Sequence, residues 1–242
     1  MRRVYQASAS GFNGRLDEVR RLKNILYLHG FASSPRGRKA AALRERLEPF
    51  GFRVLAPDLN IPSFERLDFK AMTRIAFWEI KKQMPAVVIG SSLGALVALA
   101  AARIALRAPL LLVAPALGFG RRWIEKLPPG DPVAFFHHGA ERPMSIHRRF
   151  FEEMASVDAD REPPHVPVVV MMGRRDESVP FESVEGVWKR WEAAGLGAGS
   201  RFIEIPAGDH GLLDYVDRIA DEARALCAIA PPLRPVPAND FR

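Results

Sequence analysis

The sequence predicts an α/β fold: an open, mostly parallel central sheet with helices on both faces. Two observations carry that expectation. Short β-rich apolar runs alternate along the chain with segments of helical periodicity, the order that a sheet assembled from β-α units requires. The runs VVIG (87–90), LLLVA (110–114) and VPVVVMM (166–172) are apolar at consecutive positions, as strands covered on both faces must be. The length of 242 residues suits one α/β domain, since such folds often run to about 200–250 residues.

Strands are expected at 24–29, 53–57, 86–90, 110–114, 166–172 and 201–205. Helices are expected between them, at 38–50, 65–83, 93–107, 184–194 and 212–227. The first of these ends at Gly51, a natural C-cap because glycine enters the left-handed region freely. The rhythm breaks once. Residues 116–165 contain helical patterns but no strong strand, and so long a structureless loop inside a domain is improbable. The expectation is a small helical cap inserted over the sheet edge. The tail 231–242 carries four prolines, at 231, 232, 235 and 237, which deny it helix and ladder hydrogen bonds.

Composition narrows the function classes. With one cysteine, Cys227, the chain has no internal disulfide, and the apolar run ALCAI places that thiol as a small buried hydrophobe. The N-terminal segment lacks the apolar region of a secretory leader, and the longest mainly apolar stretch, 93–102, is too short to span a bilayer. Cytoplasm is the expected location. The net charge is +7, but the basic residues are scattered beside acidic ones rather than gathered into the stripe that nucleic acid requires. Neither nucleic acid nor membrane is an expected partner.

Four motifs carry chemistry, each at the end of an expected strand. The first is GSSLG (90–94), between a strand and a helix. A nucleophilic serine at such a tight turn needs small neighbours two positions away. Ser92 has glycine on both sides at that distance, whereas Ser91 has Ile89 and Leu93, so Ser92 is the candidate nucleophile. The second is LHGFASSP (28–35). A His-Gly turn there can aim the N–H of Phe31, together with that of Leu93, at a developing oxyanion. Gly30 permits the close backbone approach, and His29 is read as a support for the turn. The third, GRRDESVP (173–180), offers Asp176 as the acid that orients a histidine. Glu177 faces elsewhere in a tight turn, and Asp131 falls in the cap. The fourth, GDHG (208–211), offers His210 as general base; His137, His138, His147 and His165 lack that strand-end setting. The order Ser92, Asp176, His210 is the order of α/β-hydrolases.

With these motifs in hand, the chain resembles the α/β-hydrolase superfamily from about residue 24 to 228, and within it the YqiA/YcfP-type esterases, small bacterial hydrolases. The narrower resemblance rests on YLHGFASSPRGRKA (27–40), APDLNIPSFERL (56–67) and GSSLGALVAL (90–99). It implies cleavage of small acyl esters or thioesters through an acyl-enzyme, with neither metal nor organic cofactor. Carried over, the family's triad falls on Ser92, Asp176 and His210, and its oxyanion groups on Phe31 and Leu93. Two departures stand out. A long lead-in (1–23) with an arginine-rich cap (Arg121, Arg122, Arg142, Arg148 and Arg149) limits what carries over about substrate. Ala95 stands in place of the second glycine of the GSSLGG often seen in such proteins, and its methyl still fits a helix start.

The cap also holds Phe119, Trp123, Phe135, Phe136, Phe150 and Phe151. Such a mixture would suit an acyl chain with a distant anionic group, although aromatics packed on the domain are the plainer reading. Asn60 and Phe64, after a strand end, are expected to line the acyl pocket with Gly30. A serine peptidase or a C–C bond hydrolase shares the triad, and a non-catalytic binding protein shares the fold. The sequence leaves the oligomeric state open. It also lacks an HExxH motif or clustered Cys/His ligands, which argues against zinc-dependent hydrolysis.

Overall fold

The computed structural model describes residues 22–105, 107–118 and 120–229. Its strands are β1 (Lys23–Leu28), β2 (Phe52–Leu55), β3 (Val87–Ser91), β4 (Leu110–Val113), β5 (Val133–His137), β6 (Arg142–Ile146), β7 (Val168–Gly173) and β8 (Arg201–Ile205). Six of them form one sheet in the order β2-β1-β3-β4-β7-β8, and every pairing in it is parallel. The helices are α1 (Arg38–Leu47), α2 (Phe69–Gln83), α3 (Leu93–Ala105), α4 (Gly120–Lys126), α5 (Arg149–Met154), α6 (Phe181–Ala193) and α7 (Val216–Ile229).

The period of two along each strand divides the core. Leu26, Leu28, Val88, Leu110, Leu112, Val168 and Val170 face a layer made by α2, α3 and α6. Ile25, Tyr27, Val87, Ile89, Leu111, Val113, Val169 and Met171 face α1 and α7. Both sets are buried because helices cover both faces, which is why the strands read as unbroken apolar runs. Cys227 lies in the α1/α7 layer, and burial pushes its thiol up to about 11. Among the described residues no helix is long and apolar enough to cross a membrane.

The chain leaves β1 for β2 on one side and returns to β3 on the other. The β1/β3 boundary is therefore the topological switch point, where open α/β sheets place their ligands. Two expected helices begin differently from the sequence reading. The segment at 65–83 opens as a 3-10 turn (Phe64–Arg66), and α2 starts only after Asp68, whose carboxylate accepts from Ala71 N and caps the helix. The last helix likewise opens with a 3-10 turn, Leu213–Tyr215.

The inserted segment departs more. It was expected to be helical, yet between α4 and α5 it contains the antiparallel ribbon β5–β6. The period-two pattern is present in its burial, with Val133 and His137 inside and Ala134 outside. Pro143 in β6 and the adjacent Phe135 and Phe136 obscure that pattern in the sequence. The tail 231–242, nearly all of the lead-in, Phe119, and the side chains of Arg121 and Arg122 lie outside the described residues.

Candidate active site

Ser92 stands between the last residue of β3 and the first of α3, with φ at +53°. A serine in the left-handed region is strained, and such strain persists only where the surroundings over-determine it. Here Ser92 N donates to Val113 O at 3.0 Å, and Ser92 O accepts from Ala95 N at 3.0 Å and Ala116 N at 3.3 Å. Both flanking glycines are required by contact. A Cβ on Gly90 would lie 2.6 Å from Ala95 Cα, and one on Gly94 would lie 2.1 Å from Leu28 O. The elbow is thus wedged against the end of β1.

That contact gives a direct test. Gly94→Ala forces a methyl into a backbone carbonyl, which cannot swing aside as a side chain can. It is expected to destabilise the protein by about 3 kcal/mol or more, beyond the usual cost of overpacking. A thermal melt within a degree or two of the unsubstituted protein would contradict the close packing.

The loops after β7 and β8 are joined directly. Arg174 N donates to Ile205 O at 3.0 Å and Arg175 N to Gly208 O at 2.9 Å, while a Cβ on Gly173 would lie 2.2 Å from Gly208 O. This junction brings Asp176 and His210 together, although they are distant in the chain. His210 Nδ1 lies 2.8 Å from Asp176 Oδ2, and His210 Nε2 lies 3.0 Å from Ser92 Oγ. A carboxylate only accepts, so Nδ1 carries the ring proton and Nε2 is left to accept from the serine hydroxyl. The other oxygen, Asp176 Oδ1, accepts from Ser178 N at 2.9 Å and Val179 N at 2.8 Å. The Asp176 side chain is wholly enclosed, whereas the His210 ring is partly open to solvent. Glu177 is exposed, and Asp131 accepts instead from Arg148 N.

The turn after β1 completes this side of the site. Gly30 sits against the elbow: a Cβ there would lie 3.2 Å from Ser91 O and from Ser92 Cβ. Phe31 follows it. Leu93 opens α3, where first-turn N–H groups lack intrahelical acceptors. His29 is buried and braces the turn, donating from Nδ1 to Gly30 O at 3.0 Å and accepting at Nε2 from Leu59 N at 3.0 Å.

Ser92 and His210 open into a cavity of about 330 Å³, walled by Phe31, Trp123, Leu127, Phe135 and Phe136. Phe31 is its keystone, with ring centroids 5.2 Å from Trp123 and 5.1 Å from Phe135. The ribbon of the insertion is fastened to the same turn, for His138 N donates to Ala32 O at 2.7 Å. Phe150 and Phe151 are buried in the core.

Several expected pocket residues hold other positions. Asn60 donates from Nδ2 to Ser33 O at 2.8 Å and to Asp58 at 2.9 Å, bracing loops. Phe64 is buried behind Phe31, their centroids 5.4 Å apart. Neither of these, nor Gly30, lines the cavity. His137 is buried against Phe64, and burial pushes its imidazole pKa down. Of the cap arginines, Arg148 donates to Pro128 O, and Arg149 pairs with Glu153 at 2.8 Å.

The family comparison matches residues 24–194 to an uncharacterised protein family, UPF0227. The chain belongs to UPF0227. The matched span includes Ser92 and Asp176 and stops short of His210. No curated protein matches the chain. Solved structures share its fold at low identity. A monoacylglycerol lipase from Paleococcus ferrophilus superposes with a TM-score of 0.66 at 17% identity, covering 85% of this chain and 94% of its own. Mouse alpha/beta hydrolase domain-containing protein 10 gives 0.64 at 18%, covering 85% and 88%. The esterase domain of a Rhodothermus marinus protein gives 0.63 at 21%, covering 88% of each chain. This UPF0227 protein has the α/β-hydrolase fold.

Proposed function

We propose that the protein is a serine hydrolase that cleaves carboxylic ester or thioester bonds of small apolar acyl substrates. One observation carries the reading: the hydrogen-bonded chain Asp176–His210–Ser92 ends at an apolar cavity. His210 Nε2 takes the hydroxyl proton as Ser92 Oγ attacks the acyl carbon, and the imidazolium that forms is stabilised by Asp176. The N–H groups of Phe31 and Leu93 receive the negative charge that develops on the carbonyl oxygen. His210 then returns the proton to the departing alkoxide or thiolate. Water, deprotonated by the same ring, releases the acid and restores Ser92. The aromatic walls take the acyl group by burying its apolar surface. Two of the fold relatives are named for ester chemistry, an esterase domain and a monoacylglycerol lipase.

The test is covalent capture beside turnover. A fluorophosphonate is expected to add one equivalent to the peptide containing Ser92, and p-nitrophenyl butyrate is expected to be hydrolysed at neutral pH. Absence of both adduct and turnover, across oxygen esters and thioesters from acetyl to decanoyl, would favour a non-catalytic binding protein on the same fold.

A further inference from the structure

Behind the elbow, on the opposite face of the sheet, lies a polar cluster that the proposed reaction does not use. Ser91 closes β3, two residues beyond Ile89 and four beyond Val87, and so shares their face toward α1 and α7. Its hydroxyl accepts from Lys39 Nζ, on α1, at 2.8 Å. The hydroxyl of Tyr27, from the neighbouring strand β1, belongs to the same cluster and is acted on by Ser91. Tyr27 and Ser91 are almost completely buried, and burial raises the Tyr27 phenol pKa well above its usual range.

Lys39 is half-buried, and an ammonium drawn into such a layer is costly unless opposite charge compensates it. Lys39 is followed by three alanines, and an apolar side chain there would avoid that cost. The charges that face it come from the two loops that hold the candidate acid and base. Burial pushes Lys39 down to about 8, against the opposing attraction of Asp209 and Asp176. Asp209 precedes His210 and fixes its loop by accepting from Leu212 N at 2.7 Å. The Arg46–Asp217 pair between α1 and α7 lies about two helical turns further along α1. The ammonium thus contacts Ser91 from β3 directly, and the carboxylates of Asp176 after β7 and Asp209 after β8 act on it by longer-range attraction, neither forming an ion pair with it.

We propose that Lys39 is a positioning residue of the Ser92 site, anchoring the elbow through Ser91 and setting the Asp176 and Asp209 loops against one fixed positive charge. Ser91 is one peptide bond from Ser92, and catalytic rates fall steeply when a reacting group is misplaced by even about 1 Å. As pH rises through the Lys39 titration, the amine can still reach Ser91 but the loops lose their counter-charge. Activity should therefore carry an alkaline inflection that belongs to this lysine.

The kinetic part of the test rests on the ester-hydrolase reading; the spectroscopic part does not. Lys39→Met is expected to lower kcat for p-nitrophenyl butyrate by about tenfold, with KM within about twofold, and to abolish an inflection near pH 8. Lys39→Arg keeps the charge; it is expected to recover most of kcat and to move the inflection above about pH 10. Independently, lysine labelled with carbon-13 at Cε gives a resonance for Lys39, identified by its loss in either variant. It is expected to titrate near pH 8 in the unsubstituted protein and at lower pH in Asp209→Asn. Wild-type kcat and pH profile in Lys39→Met would overturn the inference. So would an ordinary lysine titration that Asp209→Asn leaves unmoved, even if the protein proves inactive toward esters. If Lys39→Met fails to fold, Lys39→Arg and Asp209→Asn decide the matter.

Discussion

Ser92→Ala is expected to lower kcat for p-nitrophenyl butyrate by roughly 10⁴- to 10⁶-fold, because in the proposed mechanism Ser92, His210 and Asp176 act as a unit. The substitution removes only Oγ. The main-chain bonds of Ser92 to Val113, Ala95 and Ala116 remain, and alanine occupies the +53° φ of the elbow about as poorly as serine does. The one lost bond, to His210 Nε2, is worth about 1 kcal/mol. Stability should therefore be nearly unchanged while both turnover and fluorophosphonate capture disappear. Circular dichroism melts, beside rates measured on the same preparation, separate the two effects. Retained turnover in a folded Ser92→Ala protein would remove Ser92 from the mechanism.

The elbow was legible from residues alone because its demand for small neighbours two positions either side of the serine shows within five consecutive residues. Glycines at 90 and 94 are required by contacts with the elbow's own helix and with the end of β1. The positions of Asp176 and His210 were legible because each closes a β-rich run with a turn: Asp176 follows the fully buried β7, and His210 sits between glycines after the edge strand β8. The cap was not readable in this way. Its ribbon is pinned by His138 N to Ala32 O and by Gly139 packed against Ser34, contacts between segments far apart in the chain. Asn60 and Phe64 show the same limit. Their nearness to a strand end was visible, but the loop bracing by Asn60 and the burial of Phe64 behind Phe31 depend on tertiary neighbours. Lys39 stood in plain view within RGRKA, and only the face on which Ser91 emerges gives it a partner.

Asp176→Asn is expected to lower kcat by about 10⁴-fold at neutral pH, although it changes hardly any volume. The reason lies in how the carboxylate is held. Asp176 Oδ1 accepts two main-chain N–H groups, from Ser178 and Val179, so an asparagine must keep its carbonyl oxygen on that side. Its NH₂ group then points at His210 Nδ1, the atom that Oδ2 meets at 2.8 Å. An amide N–H can only donate, which forces Nδ1 to accept and moves the ring proton to Nε2. That is the nitrogen that must receive the Ser92 proton, so the imidazole is locked in the unproductive tautomer. Flipping the amide offers no escape, because its NH₂ would then confront two N–H donors inside a wholly enclosed site. Asp176 does not line the cavity, so KM should change little while kcat collapses. The tautomer can be read directly from nitrogen-15 shifts of the His210 ring. The protein should show the proton on Nδ1, and the variant should show it on Nε2. An Asp176→Asn protein with near-normal kcat, or with the proton still on Nδ1, would mean that Asp176 does not orient His210 in the reacting enzyme.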